Sequence, residues 1–444
     1  MTQLFAEADC RRQEAGSGLL PVYQSVEAAI ADHDGERPVP LFYPEALDRA
    51  AQAFVGAFRG HVVYAVKSNP DPVILSRLAH AGVTRFDVAS TAEVDLVQRS
   101  VPAAHLAFMH PVKPRSAIAR AYAAGVRTFA LDSAAELAKI DAATGGARDL
   151  TLFVRLGCDQ GSAAYALDTK FGIAGAEAVD LVARTATVAQ RLGLTFHVGS
   201  QCMEPQAYAR AIAMAADVAA RAGTPVDALD VGGGFPAPYP GMTPPPLAAY
   251  MDAIHGAVDA HGLGRAHLAC EPGRALVAAA GSVLARVELR KGDRLYLNDG
   301  TYGSLFDAGR TVGWRFPTRL VGRESAAEAR AFSFFGPTCD SLDAMAGPFH
   351  LPDDVDEGDW IEIGQLGAYG TALRTAFNGF TAEALVAIDA RAQAARPPHQ
   401  PQTGQVQTGQ PPMTVHPVAA FPVAAYPEAD APRPDMPLPA VAAE

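Results

Sequence analysis

The chain has 444 residues, 49% of them hydrophobic and 19% charged, and a formal net charge of −12. That length is more than the ~250 residues of one α/β barrel, and no apolar run approaches the ~18 residues that a membrane-spanning helix needs. The acidic balance, with no basic stripe to neutralise phosphates, argues against a nucleic-acid binder and leaves a small substrate, cationic ones included.

The opening MTQLFAEADCRRQEAG carries acids and no continuous apolar stretch, so a secretory signal is not expected. Residues 1–40 read as a polar, irregular lead-in that packs on the later β region. From 41 a rhythm begins. Helix 45–58 precedes strand 61–66, and helix 72–81 follows it. The next strand and helix pairs are 85–89 with 92–99, 106–109 with 115–124, 126–131 with 134–143, 150–156 with 176–192, 194–198 with 205–222, and 228–231 with 246–261. Strand 266–270 closes the series. Strict alternation means parallel strands joined by right-handed crossovers. Eight such units over 41–275 predict a (β/α)8 barrel, with an open doubly wound sheet as the alternative. Residues 276–396 change character: strand-like stretches at 282–289, 294–297, 316–321, 331–335 and 359–363 predict an antiparallel β domain. Residues 397–444 hold twelve of the 34 prolines and the low-complexity QTGQ pair, and such a composition is expected to stay disordered.

In such a barrel the active site lies where strands end. The first polar residues after the apolar runs are Lys67, Asp87 with Ser90, His110, Asp132, Arg155, His197 with Ser200, the run Gly232-Gly233-Gly234, and Glu271 with Arg274. Lys67 ends the run VVYAV and precedes Ser-Asn-Pro. On that stretch alone it reads as a surface lysine or as an ammonium held for chemistry. His110 and Asp132 read as loop residues. Three glycines after a strand either make a tight turn or let backbone N–H groups approach an anion, with Arg274 as a fixed cation beside them. A lysine amine, an anion cradle, a carboxylate and a histidine are together what pyridoxal phosphate requires. No H-x-H or H-E-x-x-H spacing appears, so no metal is expected. The five cysteines (Cys10, Cys158, Cys202, Cys270 and Cys339) include no C-x-x-C pair, which suits a reducing cytoplasm.

YAVKSNP, FDVAS, FHVGSQ, DVGGGFP, EPGR, YLNDGTYGS, FFGPTCDSLD and GAYGTALRTAFNGF occur in this order. Over roughly 35–390 the chain thereby resembles the pyridoxal-phosphate decarboxylases of the alanine-racemase-like fold, on the ornithine and lysine/ornithine decarboxylase branch. The resemblance implies that Lys67 is the Schiff-base lysine, Glu271 pairs with the pyridine nitrogen, His197 stacks on the ring and Asp87 supports the site from behind. It implies that Ser200, Gly233, Gly234, Arg274 and Tyr369 hold the phosphate, that Arg155 lines the site and that Glu93 stands behind it. Cys339 and Asp340 match residues given across a homodimer interface, the first to protonate the carbon that lost CO2, the second to bind the distal amine. Lys170 and Asp343 match a cross-subunit ion pair. Tyr302, Asp307 and Phe377 are expected near the substrate. Eukaryotic members carry a further aspartate where Thr311 stands, which leaves ornithine against lysine open. The implied activity is decarboxylation of L-ornithine to putrescine, with lysine as a second substrate. Diaminopimelate or carboxynorspermidine decarboxylation, an amino-acid racemase and a non-catalytic regulator of this fold are the alternatives.

Overall fold

The apolar segments between 61 and 270 form parallel strands: β1 His61–Ala65, β2 Arg85–Val88, β3 His105–Phe108, β4 Thr128–Leu131, β5 Thr151–Arg155, β6 Arg191–Thr195, β7 Ala228–Asp230 and β8 His267–Cys270. They pair in chain order and β8 returns to β1, so the barrel is closed and the open sheet is ruled out. The structure is a computed structural model that describes residues 13–15, 18–159, 161, 163–165 and 170–389. Cys10 and the tail at 397–444 lie outside the described residues.

The helices between strands start where short polar side chains replace missing backbone partners. Ser90 Oγ accepts from Glu93 N at 3.2 Å ahead of helix Thr91–Ser100, and Asp71 Oδ1 accepts from Val73 N at 2.8 Å ahead of Pro72–His80. Helix Gln206–Ala222 stops at Gly223, whose φ of 64° only glycine adopts without strain. Their apolar faces cover the barrel, with Tyr64 and Phe86 buried edge-on at 6.3 Å.

A second sheet is built on the long strand Gly281–Lys291, which has Val39–Phe42 on one side and Trp360–Ile363 on the other, and pairs further along with Arg294–Leu297. Most of its pairs are antiparallel. Three are not what 276–396 led one to expect: Arg294–Leu297 runs parallel to Ala329–Phe335, and Val386–Ile388 runs parallel to both Val22–Tyr23 and Val39–Phe42.

Three further local expectations are corrected. The lead-in is not irregular after residue 21: Ser25 caps helix Val26–Ala31, and the fully buried Val39–Phe42 pairs with Gly281–Leu284. A six-residue helix and a four-residue strand containing Pro40 are too short to show periodicity. The helix expected over 176–192 ends at Ala186, and Arg191–Thr195 is already strand. Arg191 pairs with Thr151 of β5, and this register outweighs the apolar spacing that continues through Val188 and Leu192. Strand Ala344–Pro352 was hidden by its Gly-Pro pair, which reads as a break.

Candidate active site

β1 ends at Ala65, and Lys67 sits in the single turn Val66–Ser68 that follows. This turn is fastened from several sides. The buried Tyr64 hydroxyl donates to Asn69 O at 3.0 Å, Asn69 Nδ2 donates to Gly367 O at 2.9 Å, and Tyr369 N donates to Ser68 O at 2.8 Å. A Cβ on Gly273 would lie 2.0 Å from Ser68 Oγ, so the EPGR segment must approach without a side chain. Two motifs distant in sequence, EPGR and GAYGT, thus hold the lysine's backbone.

Lys67 Nζ donates to Asp87 Oδ2 at 2.9 Å, and its side chain remains 47% accessible. Burial alone would lower its pKa, but Asp87, Glu271 and Tyr369 outweigh that and lift it above the ordinary lysine value. Glu93 Oε2 accepts from Ala89 N at 2.6 Å and fixes the loop behind Asp87, while burial pushes its own pKa up.

Glu271 follows β8 and is buried. Desolvation, then the neighbouring Asp230 and Asp87 carboxylates, push its pKa well up, and Lys67 opposes them. Asp230, the last residue of β7, is pushed by burial from the usual 3.8 to about 6. The two carboxyls face each other, and their mutual hydrogen bond raises the pKa of Glu271 and lowers that of Asp230. His197 Nδ1 accepts from Gly199 N at 3.0 Å, which places the proton of the neutral ring on Nε2. Burial, then Arg155 and Lys67, hold its pKa down to about 3, so the imidazole stays neutral and can lie flat against an aromatic ring. Arg155 ends β5 with its guanidinium 5.5 Å from the Phe171 ring centre.

The glycine run is a cradle shaped by close approach. A Cβ on Gly233 would stand 2.8 Å from Glu271 O and 3.1 Å from His197 Nε2. One on Gly234, at φ +98°, would stand 2.4 Å from Gly199 O. Ser200 opens strand Ser200–Cys202, which Cys202 N ties to Gly234 O at 2.9 Å. Gln201, which sequence reasoning missed, is buried at φ 57° and hydrogen-bonds both backbone groups of Ala237, bracing the cradle. Arg274 Nη1 donates to Tyr239 Oη at 3.0 Å and to Asp307 Oδ2 at 2.9 Å, and its guanidinium lies 4.4 Å from the Trp314 ring centre and 4.7 Å from that of Tyr369. Asp307, expected near the substrate, pairs with Arg274. Asp230, Gln201 and Tyr239 act beneath or beside the named groups; only the position of Asp230 at the end of a barrel strand could have signalled one of them.

A second cluster stands on the sheet. Tyr302 Oη donates to Asp340 Oδ2, the Tyr302 and Phe377 rings are 4.9 Å apart, and the exposed Cys339 Sγ contacts Asn378 Oδ1 at 3.5 Å. The side chains of Cys339 and Asp340 bond to this cluster rather than to Lys67 or Glu271. Asp343 is buried, accepting from Thr301 N at 2.7 Å and Thr338 Oγ1 at 2.8 Å, while Lys170 is exposed with Nζ 5.1 Å from the Phe171 ring centre. His110 and Asp132 serve loops: His110 Nδ1 accepts from Val112 N and Asp132 Oδ2 from Gly172 N. Among the described residues, no group of three or more His, Cys, Asp or Glu could hold a metal.

These residues fit pyridoxal phosphate on their own terms. Glu271 Oε1, Arg274 Nε and Ser68 Oγ are buried at the same mouth without a hydrogen-bond partner, an acceptor and donors awaiting a ring nitrogen and an anion.

Comparison with known proteins agrees. The model of the pyridoxal-dependent decarboxylase, pyridoxal binding domain, matches residues 44–278. The lysine/ornithine decarboxylase of Selenomonas ruminantium is 33% identical over 72% of this chain and 82% of its own. The ornithine decarboxylase of Schizosaccharomyces pombe is 33% identical over 73% of this chain and 77% of its own. Among solved structures, the lysine/ornithine decarboxylase of Vibrio vulnificus in complex with putrescine superposes with a TM-score of 0.70 at 30% identity, covering 82% of this chain and 99% of that one.

Proposed function

The chain belongs to the pyridoxal-dependent decarboxylases, and on that premise we propose that it converts L-ornithine to putrescine and CO2, with L-lysine to cadaverine as a second reaction, in polyamine biosynthesis. The observation that carries this reading is the convergence of Lys67, Asp87, His197 and Glu271 on one barrel mouth beside unpartnered Arg274 Nε.

Pyridoxal phosphate, when bound, supplies an aldehyde and an electron-withdrawing ring for the carbon that loses CO2. Lys67 offers the amine that holds the aldehyde. Glu271 would accept the hydrogen bond of the ring nitrogen, with Asp87 and Asp230 setting the field around it. The neutral His197 packs on the ring, and Arg155 lines the same mouth. Gly233 and Gly234 present backbone to the phosphate, while Ser200, Arg274 and Tyr369 complete its surroundings.

Asp340 with Tyr302 makes an acid-bearing pocket suited to a distal ammonium. A second substrate carboxylate would be repelled there, which disfavours diaminopimelate. Phe377 walls the pocket, and Asp307 steadies Arg274 at its edge. The exposed apolar side chains Leu342, Leu373, Phe377 and Phe380 around Cys339 support a homodimer in which each protomer lends Cys339 and Asp340 to its partner's barrel. There Cys339 delivers the proton to the carbon left by CO2. Lys170 and Asp343 form the accompanying ion pair across the interface. The domain bounds we adopt are 41–275, 276–396 and a dispensable 397–444. No helix among the described residues is long and apolar enough to cross a membrane, and we place the enzyme in the cytoplasm.

The test is kcat/KM on ornithine, lysine, arginine and meso-diaminopimelate with trapped CO2 as product. Preference for ornithine or lysine supports the reading; chiral inversion without CO2, or no turnover by cofactor-loaded protein, overturns it. Lys67→Ala is expected to abolish the bound cofactor's visible absorption band.

A further inference from the structure

The opposite end of the barrel is not plugged. Barrels of this kind fill their interior with layers of bulky branched side chains. Here the inward positions read at a period of two are small through the middle: Ala107, Ala130, Gly193, Ala228 and Ala269. Met109, Ala130, Phe153 and Ala228 form a small buried apolar cluster inside. The result is a 490 Å3 cavity that opens at the amino ends of the strands and reaches inward to Asp230 and Glu271.

The mouth of this cavity is basic. The first residues of β1, β2, β3, β6 and β8 are His61, Arg85, His105, Arg191 and His267, and all line it. Arg127 stands at the rim, held by Asp149 at 2.7 Å. Neither Arg85 nor Arg191 has an ion pair among the described residues, and Arg85 is partly buried without an acid to offset it. Burial, then Arg85, His267 and His105, lower the pKa of His61, so these groups crowd one another with no counter-charge between them. The catalytic reading uses none of them.

We propose that this amino-end mouth is a second binding site, for a small polyanion carrying two or more phosphate groups. Arg85 on β2 and Arg191 on β6 stand on opposite sides of the closed barrel, so each guanidinium can fork onto a separate phosphate group while the imidazoles between them donate further hydrogen bonds. The cavity falls in the roughly 300–1,000 Å3 range of small-ligand sites. The carboxyls of Asp230 and Glu271 close its inner end, and they keep an anion at the mouth rather than letting it pass to the cofactor side. An inorganic oligophosphate and a nucleoside triphosphate share this chemistry.

The test uses holoenzyme freed of excess cofactor, so that the phosphate cradle at the other mouth is filled. Calorimetric titration with tripolyphosphate and, separately, with ATP is expected to give saturable binding to one or both; tighter binding of ATP identifies a nucleotide, equal or tighter binding of tripolyphosphate an inorganic chain. Arg85→Ala combined with Arg191→Ala should weaken it at least ~10-fold, with the cofactor's visible band unchanged. Arg191→Glu, at an exposed position, should weaken it likewise and serves if the double variant fails to fold. The C2 protons of His61, His105 and His267 should shift on addition of the probe. No saturable binding of either probe, or equal affinity in the arginine variants, overturns the proposal. Because the cofactor band is read separately, failure here is distinct from failure of the decarboxylase reading.

Discussion

Asp230→Asn is expected to stabilise the cofactor-free enzyme at neutral pH. Asp230 is 2% exposed, and burial raises its pKa from 3.8 to about 6. A group whose folded pKa lies above its unfolded one contributes full stability below the unfolded value and loses it as pH rises through the folded value. That rise corresponds to about 3 kcal/mol lost between about pH 4 and about pH 6. Asparagine keeps the acceptor for Gly232 N, which Asp230 Oδ1 now meets at 2.9 Å, and can donate to Glu271. The variant should therefore flatten the pH slope and raise the urea midpoint of the apo-enzyme near neutrality. With its neighbouring charge removed, Glu271 should also ionise more readily. The assay is urea denaturation of apo wild type and variant across that pH window. An unchanged slope, or a variant no more stable than wild type at neutral pH, would show that the acid pair is not strained by burial.

Mixing Lys67→Ala with Cys339→Ala protomers, each inactive alone, should recover about a quarter of wild-type turnover if sites are shared across a two-fold interface; no recovery on remixing would place each site within one chain. Gly234→Ala forces a Cβ to within 2.4 Å of Gly199 O at φ +98°, so cofactor affinity should fall, with ~1–3 kcal/mol of strain in the cradle. Equilibrium titration with pyridoxal phosphate reads this, and wild-type affinity would refute it. Asp340→Asn should lower kcat/KM for ornithine by ~10–100-fold through loss of a charged hydrogen bond, leaving the visible band intact.

Much of the barrel was legible because its signal is local. Each strand is a short apolar run and each helix an amphipathic one, and eight repeats leave few closures. The candidate site was legible for the same reason: Lys67, Asp87, Arg155, His197 and Glu271 stand at or just after strand ends, where chain order alone brings them to one rim. Asp307 shows the limit. Its partner is Arg274, 33 positions away, a contact that no local spacing announces. Gln201 and Tyr239 were invisible because bracing a loop requires no particular spacing.

What the sequence by itself determined is the set of reactive groups and the repeat that carries them, since residue type and local periodicity are properties of short stretches. Tertiary structure alone decided three things. It fastened Lys67's turn through Gly367 and Tyr369, three hundred residues on, because only folding opposes those backbone donors and acceptors. It set Asp230 against Glu271, pushing the pKa of both carboxyls up, because burial penalises their charged forms. It left the barrel's amino end hollow, because a cavity depends on what eight distant strands fail to fill.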